Sequence, residues 1–223
     1  MNNLRFIILS IVGTCLVAFS SCNKNDSPYY DYENVVQSYN GTALEYLKSQ
    51  PSGTFDSLLL VLDRYPQIQD TLSTQAITLF APVNANFASA IKYLNITRRA
   101  QGKEELYLNT VDIDALEQLI CKYIIRGNRN TDDYKGERDG LLLNSIIYNY
   151  PMHVKYVQES SSGFMSGGAS VLNFSNPFGS VFVKDWIITS TKTVNIKTNN
   201  ATINILTPIH NLGFDQFTEM LND

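Results

Sequence analysis

The spacing of apolar residues changes halfway along the chain, and this change restricts the fold more than any other feature of the sequence. In the first half, apolar side chains recur every three or four positions, as on the buried face of a helix. Three stripes follow this rule: Phe55, Leu58, Leu59 and Leu62; Phe87, Ala90, Ile91 and Leu94; and Ile113, Leu116, Ile120 and Tyr123. In the second half, apolar and polar residues alternate, which is typical of strands. Helices followed by antiparallel strands predict an α+β domain.

Residues that favour helix ends stand beside these stripes. Thr54 and Asn84 precede the first two stripes as good N-caps, and Pro66 should end the first helix. Asp114 and Glu117 have the spacing of a capping box near the start of the third helix. We expect a last short helix to close the chain, with its apolar side at Phe214, Phe217, Met220 and Leu221.

The strands are predicted from apolar runs and alternating segments. A short buried strand at residues 77–80 should separate the first two helices, and Asn199 with Asn200 should form the turn of a hairpin. Residues 160–170 are rich in Gly and Ser and should form an exposed loop. The other strands are predicted at residues 141–147, 152–157, 181–189, 193–197 and 202–206.

The first residues have the three regions of a bacterial export signal. Arg5 gives a positive start, residues 6–19 are mainly apolar, and Ser20 and Ser21 lead into Cys22. The apolar run is shorter than the about 20 residues that span a bilayer comfortably. We interpret residues 19–22 as a lipobox, so that residues 1–21 are removed and Cys22 carries the lipid; the alternative is an ordinary secretory signal. This anchor predicts a membrane partner.

The rest of the chain divides into a tether and one domain. Residues 22–41 are polar and tyrosine-rich, which predicts a lipidated tether, and residues 42–223 have the length of a single domain. Removing the signal takes away Arg5 and no acid, so 17 basic residues become 16 against 21 acidic ones, a net charge of −5. No cluster of Lys and Arg occurs, so nucleic acid is not expected as a partner.

The sequence offers little catalytic equipment. Of its two histidines, His153 should be an outward-facing polar residue on a strand, and His210 should be a turn residue. Cys121 lies on a helical stripe and should be a core thiol, without a disulfide partner once Cys15 is removed and Cys22 is lipidated. No metal-ligand spacing, nucleophile elbow or phosphate-binding loop occurs. We therefore expect a protein that is not an enzyme and has no cofactor or metal.

The acidic pairs allow a second interpretation, since a glycosidase needs two carboxylates that face each other. Capping and solvation explain Asp112 with Asp114, and Asp132 with Asp133, better than catalysis does. Two aromatic residues of the second half, Phe164 and Trp186, are candidates for ligand contact, because sugar sites stack rings on exposed aromatic side chains. Thr71, in an Asp-Thr-Leu tripeptide, is a candidate for O-glycosylation.

Two segments resemble the signatures of the fasciclin domain. Residues 78–87, which read Thr-Leu-Phe-Ala-Pro-Val-Asn-Ala-Asn-Phe, are similar to the first signature, and residues 201–206 are similar to the second. The second signature departs at Ala201, Asn204 and Thr207, where the family has Gly, His and Asp, and the family's Tyr-His pair is Lys122–Tyr123 here. The chain is thus similar to a divergent member of the family.

The resemblance implies a wedge-shaped antiparallel β-sandwich with helices packed on it, which usually serves adhesion or extracellular binding. Together with the lipobox, it resembles the fasciclin-domain lipoproteins of Gram-negative gut bacteria, often found beside SusC/SusD-like glycan importers. It implies a lipid anchor in the outer membrane at the cell surface, with the periplasmic face as the alternative. The implied function is a binding or adhesion lipoprotein; the alternative is an accessory glycan-binding lipoprotein of such an importer.

Overall fold

We describe a computed structural model of the chain for residues 37–160 and 168–222. Cys22, most of the predicted tether and Phe164 lie outside these residues. In the described residues the α-helices are α1 (Ala43–Ser49), α2 (Asp56–Leu62), α3 (Pro66–Thr74), α4 (Asn84–Ala100), α5 (Ile113–Cys121), α6 (Asp132–Lys135) and α7 (Phe217–Leu221). The strands are β1 (Ile77–Ala81), β2 (Ile124–Arg126), β3 (Leu141–Asn144), β4 (Pro151–Gln158), β5 (Ser170–Asn176), β6 (Ile187–Lys197) and β7 (Ala201–Leu206).

The strands form one sheet in the order β2-β1-β7-β6-β5-β4-β3. Mixed helices and a seven-stranded sheet confirm the predicted α+β class. One neighbouring pair departs from the antiparallel prediction: β1 and β7 are parallel, from Ile77 opposite Ala201 to Ala81 opposite Ile205. β1 is buried along its whole length, as its unbroken apolar sequence predicts. The two segments that resemble the fasciclin signatures therefore lie side by side.

The sheet curls until its two outer strands approach each other. Ile125 of β2 forms an isolated bridge with Ser145, just after β3. The backbone N–H of Ile146 donates to the Ile124 carbonyl at 2.8 Å. This contact satisfies backbone groups that a flat sheet would leave open at both edges. The predicted two-layer sandwich is not confirmed by this arrangement.

The helix starts use other side chains than the sequence indicated. Asn84 caps the neighbouring helix, because its Oδ1 accepts from the Ser57 N–H of α2 at 2.9 Å. The start of α4 is held by Asn86, whose Oδ1 accepts from the Val83 N–H at 2.8 Å. Thr54 makes no cap for α2, whose N-cap position is Phe55, a residue without a capping side chain. Asn84 thus joins two helix starts, since it is the first residue of α4 and its side chain bonds to the first turn of α2.

Three other helix predictions need correction. Asp112 caps α5 by accepting from Ala115 N–H at 2.7 Å, so the capping box predicted from Asp114 and Glu117 is wrong. Pro66 does follow α2, but it also begins α3, where a first-turn proline loses no helical hydrogen bond. α1, with Thr42 as its cap, was not predicted. In the described residues, no helix has the length and apolar character to cross a bilayer.

Two strand predictions also differ from the structure. Residues 181–186 were predicted to begin a strand, but they form an exposed loop with one 3₁₀ turn (Val183–Asp185), and β6 begins only at Ile187. Pro177 and two positive φ angles, at Phe178 and Gly179, turn the chain before this loop. β5 was missed because its start at Ser170 lies in a Gly/Ser-rich stretch. The hairpin of β6 and β7 at Asn199 and Asn200 is confirmed.

A buried tyrosine and a buried histidine share one hydrogen bond in the core. The Tyr123 hydroxyl accepts from the Gly213 N–H at 2.7 Å and lies 2.6 Å from His210 Nε2. A hydroxyl can donate one hydrogen bond and accept two, so the Tyr123 hydroxyl bonds both the Gly213 N–H and the His210 ring. His210 is a turn residue, as predicted, and its N–H donates to the Thr207 carbonyl. It is nevertheless buried, with only 4% of its surface exposed. Burial lowers the pKa of His210 to about 3.

The lowered pKa of His210 predicts a loss of stability in mild acid. In the unfolded chain His210 binds a proton near its ordinary pKa of 6.5, whereas in the folded chain burial keeps it neutral to lower pH. Protonation therefore favours the unfolded chain. The free energy of unfolding is highest above pH 6.5 and declines as the pH falls. We expect the free energy of unfolding in urea to decrease by about 2 kcal/mol between pH 7 and pH 5. His210→Gln should reduce this slope, and His153→Gln, the control, should leave most of it. Equal slopes in the parent and His210→Gln would contradict the assignment.

Candidate functional site

Four side chains form a row across the outer face of the sheet. Leu142 of β3 pairs with His153 of β4, His153 pairs with Ser175 of β5, and Ser175 pairs with Ile188 of β6. The adjacent row, one residue away along each of the three later strands, is buried: Val154, Phe174 and Thr189. Alternation along the strands therefore sends this row to the side opposite the core.

The loop at residues 181–186 covers part of this outer face and makes a cleft of about 330 Å³. This volume is at the lower end of small-molecule sites. The cleft is lined by residues from the loop and from the sheet below it: Asp139, His153, Lys155, Asn173, Ser175, Val181, Val183, Trp186 and Ile188. Aliphatic and aromatic side chains form one wall, and polar side chains of β4 and β5 form the floor.

His153 faces away from the core, as predicted, but the loop at residues 181–186 covers this face, so the residue lies in the cleft and not in open solvent. It is 8% exposed, and its Nε2 is 2.8 Å from the Asp139 carbonyl. A carbonyl only accepts, so Nε2 carries the proton and Nδ1 is the acceptor. Burial lowers the pKa of His153, the bond to Asp139 opposes this, and the charge of Lys155 adds to it. The ring is held neutral.

Trp186, a predicted ligand contact, also lines the cleft. Its Nε1–H donates to the Ser180 carbonyl at 2.8 Å, and its ring centre is 4.6 Å from that of His153, with the planes tilted by 54°. Because the indole N–H is already used within the loop, Trp186 offers a ligand its ring surface and no hydrogen bond. Phe164, the other predicted contact, lies outside the described residues.

Three polar side chains of the cleft have no protein partner. Within residues 37–160 and 168–222, the Asp139 carboxylate, the Lys155 ammonium and the Asn173 amide take part in no hydrogen bond or ion pair. They supply an acceptor, a donor and a group that does both. Beside an apolar wall, such groups can orient a bound molecule.

Gly140 permits the position of His153. It has a φ of +81°, and a Cβ there would lie 2.6 Å from His153 Cε1 and Nε2 and from the Val154 carbonyl. A glycine is therefore needed both for the backbone angle and for the close approach of the ring. The periodicity of the sequence could not reveal the close approach of Gly140 to His153, because that contact depends on the pairing of β3 with β4.

The other predicted site residues lie away from the cleft. Thr71 is 9% exposed, and its hydroxyl donates to the Gln67 carbonyl at 2.9 Å, so a glycan would have to displace this bond. Cys121 is a buried free thiol, as predicted, and burial raises its pKa to about 12. In the part of the chain that the structure describes, no group of three His, Cys, Asp or Glu side chains could hold a metal.

Three of the four acids in the two pairs have structural partners, and the fourth, Asp114, is exposed. Asp112 is a helix cap, Asp132 pairs with Lys135 at 2.7 Å, and Asp133 accepts from Asn130 N–H at 2.7 Å. Capping and solvation therefore explain these carboxylates, as predicted.

A buried lysine was not singled out from the sequence. Lys122 is 5% exposed, its ammonium donates to Gln216 Oε1, and it lies 5.4 Å from the centre of the Tyr150 ring. Burial lowers its pKa to about 8. Since Lys122 lies outside the cleft and its nitrogen already donates to Gln216, we interpret it as part of the packing between α5 and α7.

Comparisons with known proteins give similarity to solved structures only. No protein-family model matches the chain, and no curated protein matches it. Among solved structures it is similar to a FAS1 domain pair from the insect cell adhesion molecule fasciclin I, with 12% sequence identity and a TM-score of 0.47. The similarity covers 75% of this chain and 55% of that one, so the chain spans about half the length of that structure.

Adding a methyl group at Gly140 should disturb the cleft. We expect Gly140→Ala to lower the free energy of unfolding by about 1–3 kcal/mol, because the new Cβ meets His153 and the positive φ is unfavourable. The emission of Trp186, the one tryptophan of the sequence, should shift, because His153 packs on its ring. Gly136→Ala is the matched control, since its Cβ would meet nothing within 4 Å. Equal effects of both variants would contradict this packing.

Proposed function

We propose that this chain is a non-catalytic binding lipoprotein, held at the outer membrane by lipid on Cys22, and that the cleft contacts its ligand. The observation that carries the proposal is the combination in one cleft of an apolar wall at Trp186 with Asp139, Lys155 and Asn173, which have no partner among the described residues. Asp139 is exposed and the other two are half-buried, so a ligand can take the place of the water that satisfies them.

The titratable groups support binding over catalysis. A nucleophile needs an adjacent base to activate it. The Cys121 thiol is buried with a raised pKa, His210 is closed within the core, and Nε2 of His153 donates to a backbone carbonyl. None of these three groups is paired with a second side chain in the arrangement that covalent catalysis uses.

The ligand class has two candidates. The sequence resemblance to fasciclin domains supports adhesion to a protein ligand, and the exposed aliphatic residues around the cleft suit such a partner. An accessory glycan-binding role beside a SusC/SusD-like importer is the alternative. The ring surface of Trp186 and the mixed donors and acceptors of Lys155, Asp139 and Asn173 favour it, because each sugar hydroxyl both donates and accepts.

The lipid anchor can be tested on the natively expressed protein. We expect an intact mass that corresponds to cleavage before Cys22 with added acyl chains, and we expect Cys22→Ala to release the protein from membranes. Protease treatment of intact cells should remove the domain if it faces outward. Complete protection would contradict surface display, and an unmodified cysteine would contradict the anchor.

The cleft can be tested by comparing ligands and variants. The purified protein would be applied to a glycan array and to host matrix proteins, with Trp186→Ala and Lys155→Ala beside the parent. Whichever class binds, we expect the two cleft variants to weaken binding about tenfold or more, since hot-spot truncations cost over 1 kcal/mol. Lys48→Ala, an exposed lysine on α1, is the control. Unchanged binding in both cleft variants would place the ligand elsewhere.

A further inference from the structure

The loop beside the cleft exposes a run of large apolar side chains. Val181, Phe182 and Val183 are 82%, 62% and 58% exposed, and Phe178 is 45% exposed. We call these four residues the apolar tip. Val181 and Val183 also line the cleft, whereas Phe178 and Phe182 do not. The tip therefore offers aromatic side chains to something other than the contents of the cleft, and exposed apolar patches mark interaction surfaces.

The tip is held in shape by the loop's own hydrogen bonds. Backbone N–H groups of Ser180, Asp185 and Trp186 donate to carbonyls of Pro177, Phe182 and Val183 at 2.8–3.1 Å. The N–H of Phe178 donates to Asn176 Oδ1 at the end of β5 at 3.0 Å, and the N–H of Phe182 donates to the Ser180 hydroxyl at 3.1 Å. The Ser180 hydroxyl in turn donates to Asp185 at 2.8 Å.

This internal bonding favours lipid as the occupant. Backbone groups that leave water for a bilayer must find partners within the protein, and at least five N–H groups of this loop already have them. Lys184 follows the tip with its side chain 81% exposed and its ammonium 3.8 Å from the Asp185 carboxylate, an exposed pair that lipid phosphates can replace. Trp186 lies at the base of the loop, and tryptophan prefers the level of the headgroups.

We propose that the apolar tip inserts into the outer part of a lipid bilayer and acts as a second membrane contact beside the lipid on Cys22. The proposal rests on the proposed anchor only for bringing the domain to a membrane. The cleft would then open next to the bilayer surface, so that its ligand is held close to the membrane.

The length of the chain before the domain allows both contacts at once. The domain's first described residue, Gln37, accepts a hydrogen bond from Lys197 at the end of β6, and the tip precedes the start of the same strand. Eleven residues of β6 separate the two points by about 33 Å. The 15 residues from Cys22 to residue 36 can span up to about 50 Å. A chain anchored at Cys22 can therefore reach past the domain while the tip touches the same membrane.

Trp186 reports on the tip directly, because it is the one tryptophan in the sequence. The natively processed protein would be mixed with vesicles of phosphatidylethanolamine and phosphatidylglycerol that carry bromine on their acyl chains, which quenches nearby indole rings. We expect the emission of Trp186 to move to shorter wavelength and to be quenched. The variant Phe178→Ser/Phe182→Ser should weaken this quenching roughly tenfold, since two apolar side chains no longer enter the lipid.

The control is Ile209→Ser, which removes an apolar side chain that is 92% exposed on another loop and should leave the quenching unchanged. Circular dichroism of each variant shows that it is folded. Absence of quenching in the parent, or equal quenching in the double variant, would overturn the proposal. Lipidation of Cys22 is read separately from the intact mass, so failure of the anchor and failure of the tip give different results.

Discussion

The parallel pairing of β1 with β7 is the interaction on which the rest of the structure depends. It joins residues 124 positions apart, from Ile77 opposite Ala201 onward, and so places the helical first half beside the strands of the second. Asn86, just after β1, strengthens the junction by donating to the carbonyls of Thr207 and His210, both at 3.0 Å. Because β7 is fixed in the middle of the sheet, β6, β5 and β4 follow outward in hairpin order, and their outer face becomes the floor of the cleft.

The α+β class and several elements could be predicted from apolar spacing alone. Spacing reports which side of an element is buried, and this was sufficient for α2, α4 and α5, for the run that became β1 and for the final hairpin. Spacing does not report which strands are neighbours. The parallel pair and the contact between β2 and β3 therefore could not be predicted, since they depend on register between distant segments. The assignment of Asn84 as the cap of α4 failed for the same reason, because its side chain bonds to Ser57, 27 positions earlier in α2.

The cleft was only partly predictable, and one residue shows why. Trp186 was singled out because its side chain is a typical ligand contact, which is a property of the residue itself. Alternation along β4 correctly predicted that His153 faces outward. What alternation cannot show is that the loop at residues 181–186 covers that outward face, or that Gly140 leaves room for the ring. The loop was misread as a strand because Val, Phe and Trp favour strands when a neighbouring strand is available to pair with.

That misreading has a physical consequence for function. A loop of strand-forming, apolar residues that pairs with no strand keeps its side chains in water, which costs free energy unless another surface covers them. The internal hydrogen bonds show that the loop is shaped to present these residues and not to bury them. The inner side of the loop shapes the cleft and the outer side carries Phe178 and Phe182, so one short segment can serve ligand and membrane together. A ligand that contacts Val181 and Val183 would cover part of the apolar tip, so ligand and lipid would share these two side chains and occupancy of the cleft would be linked to membrane contact.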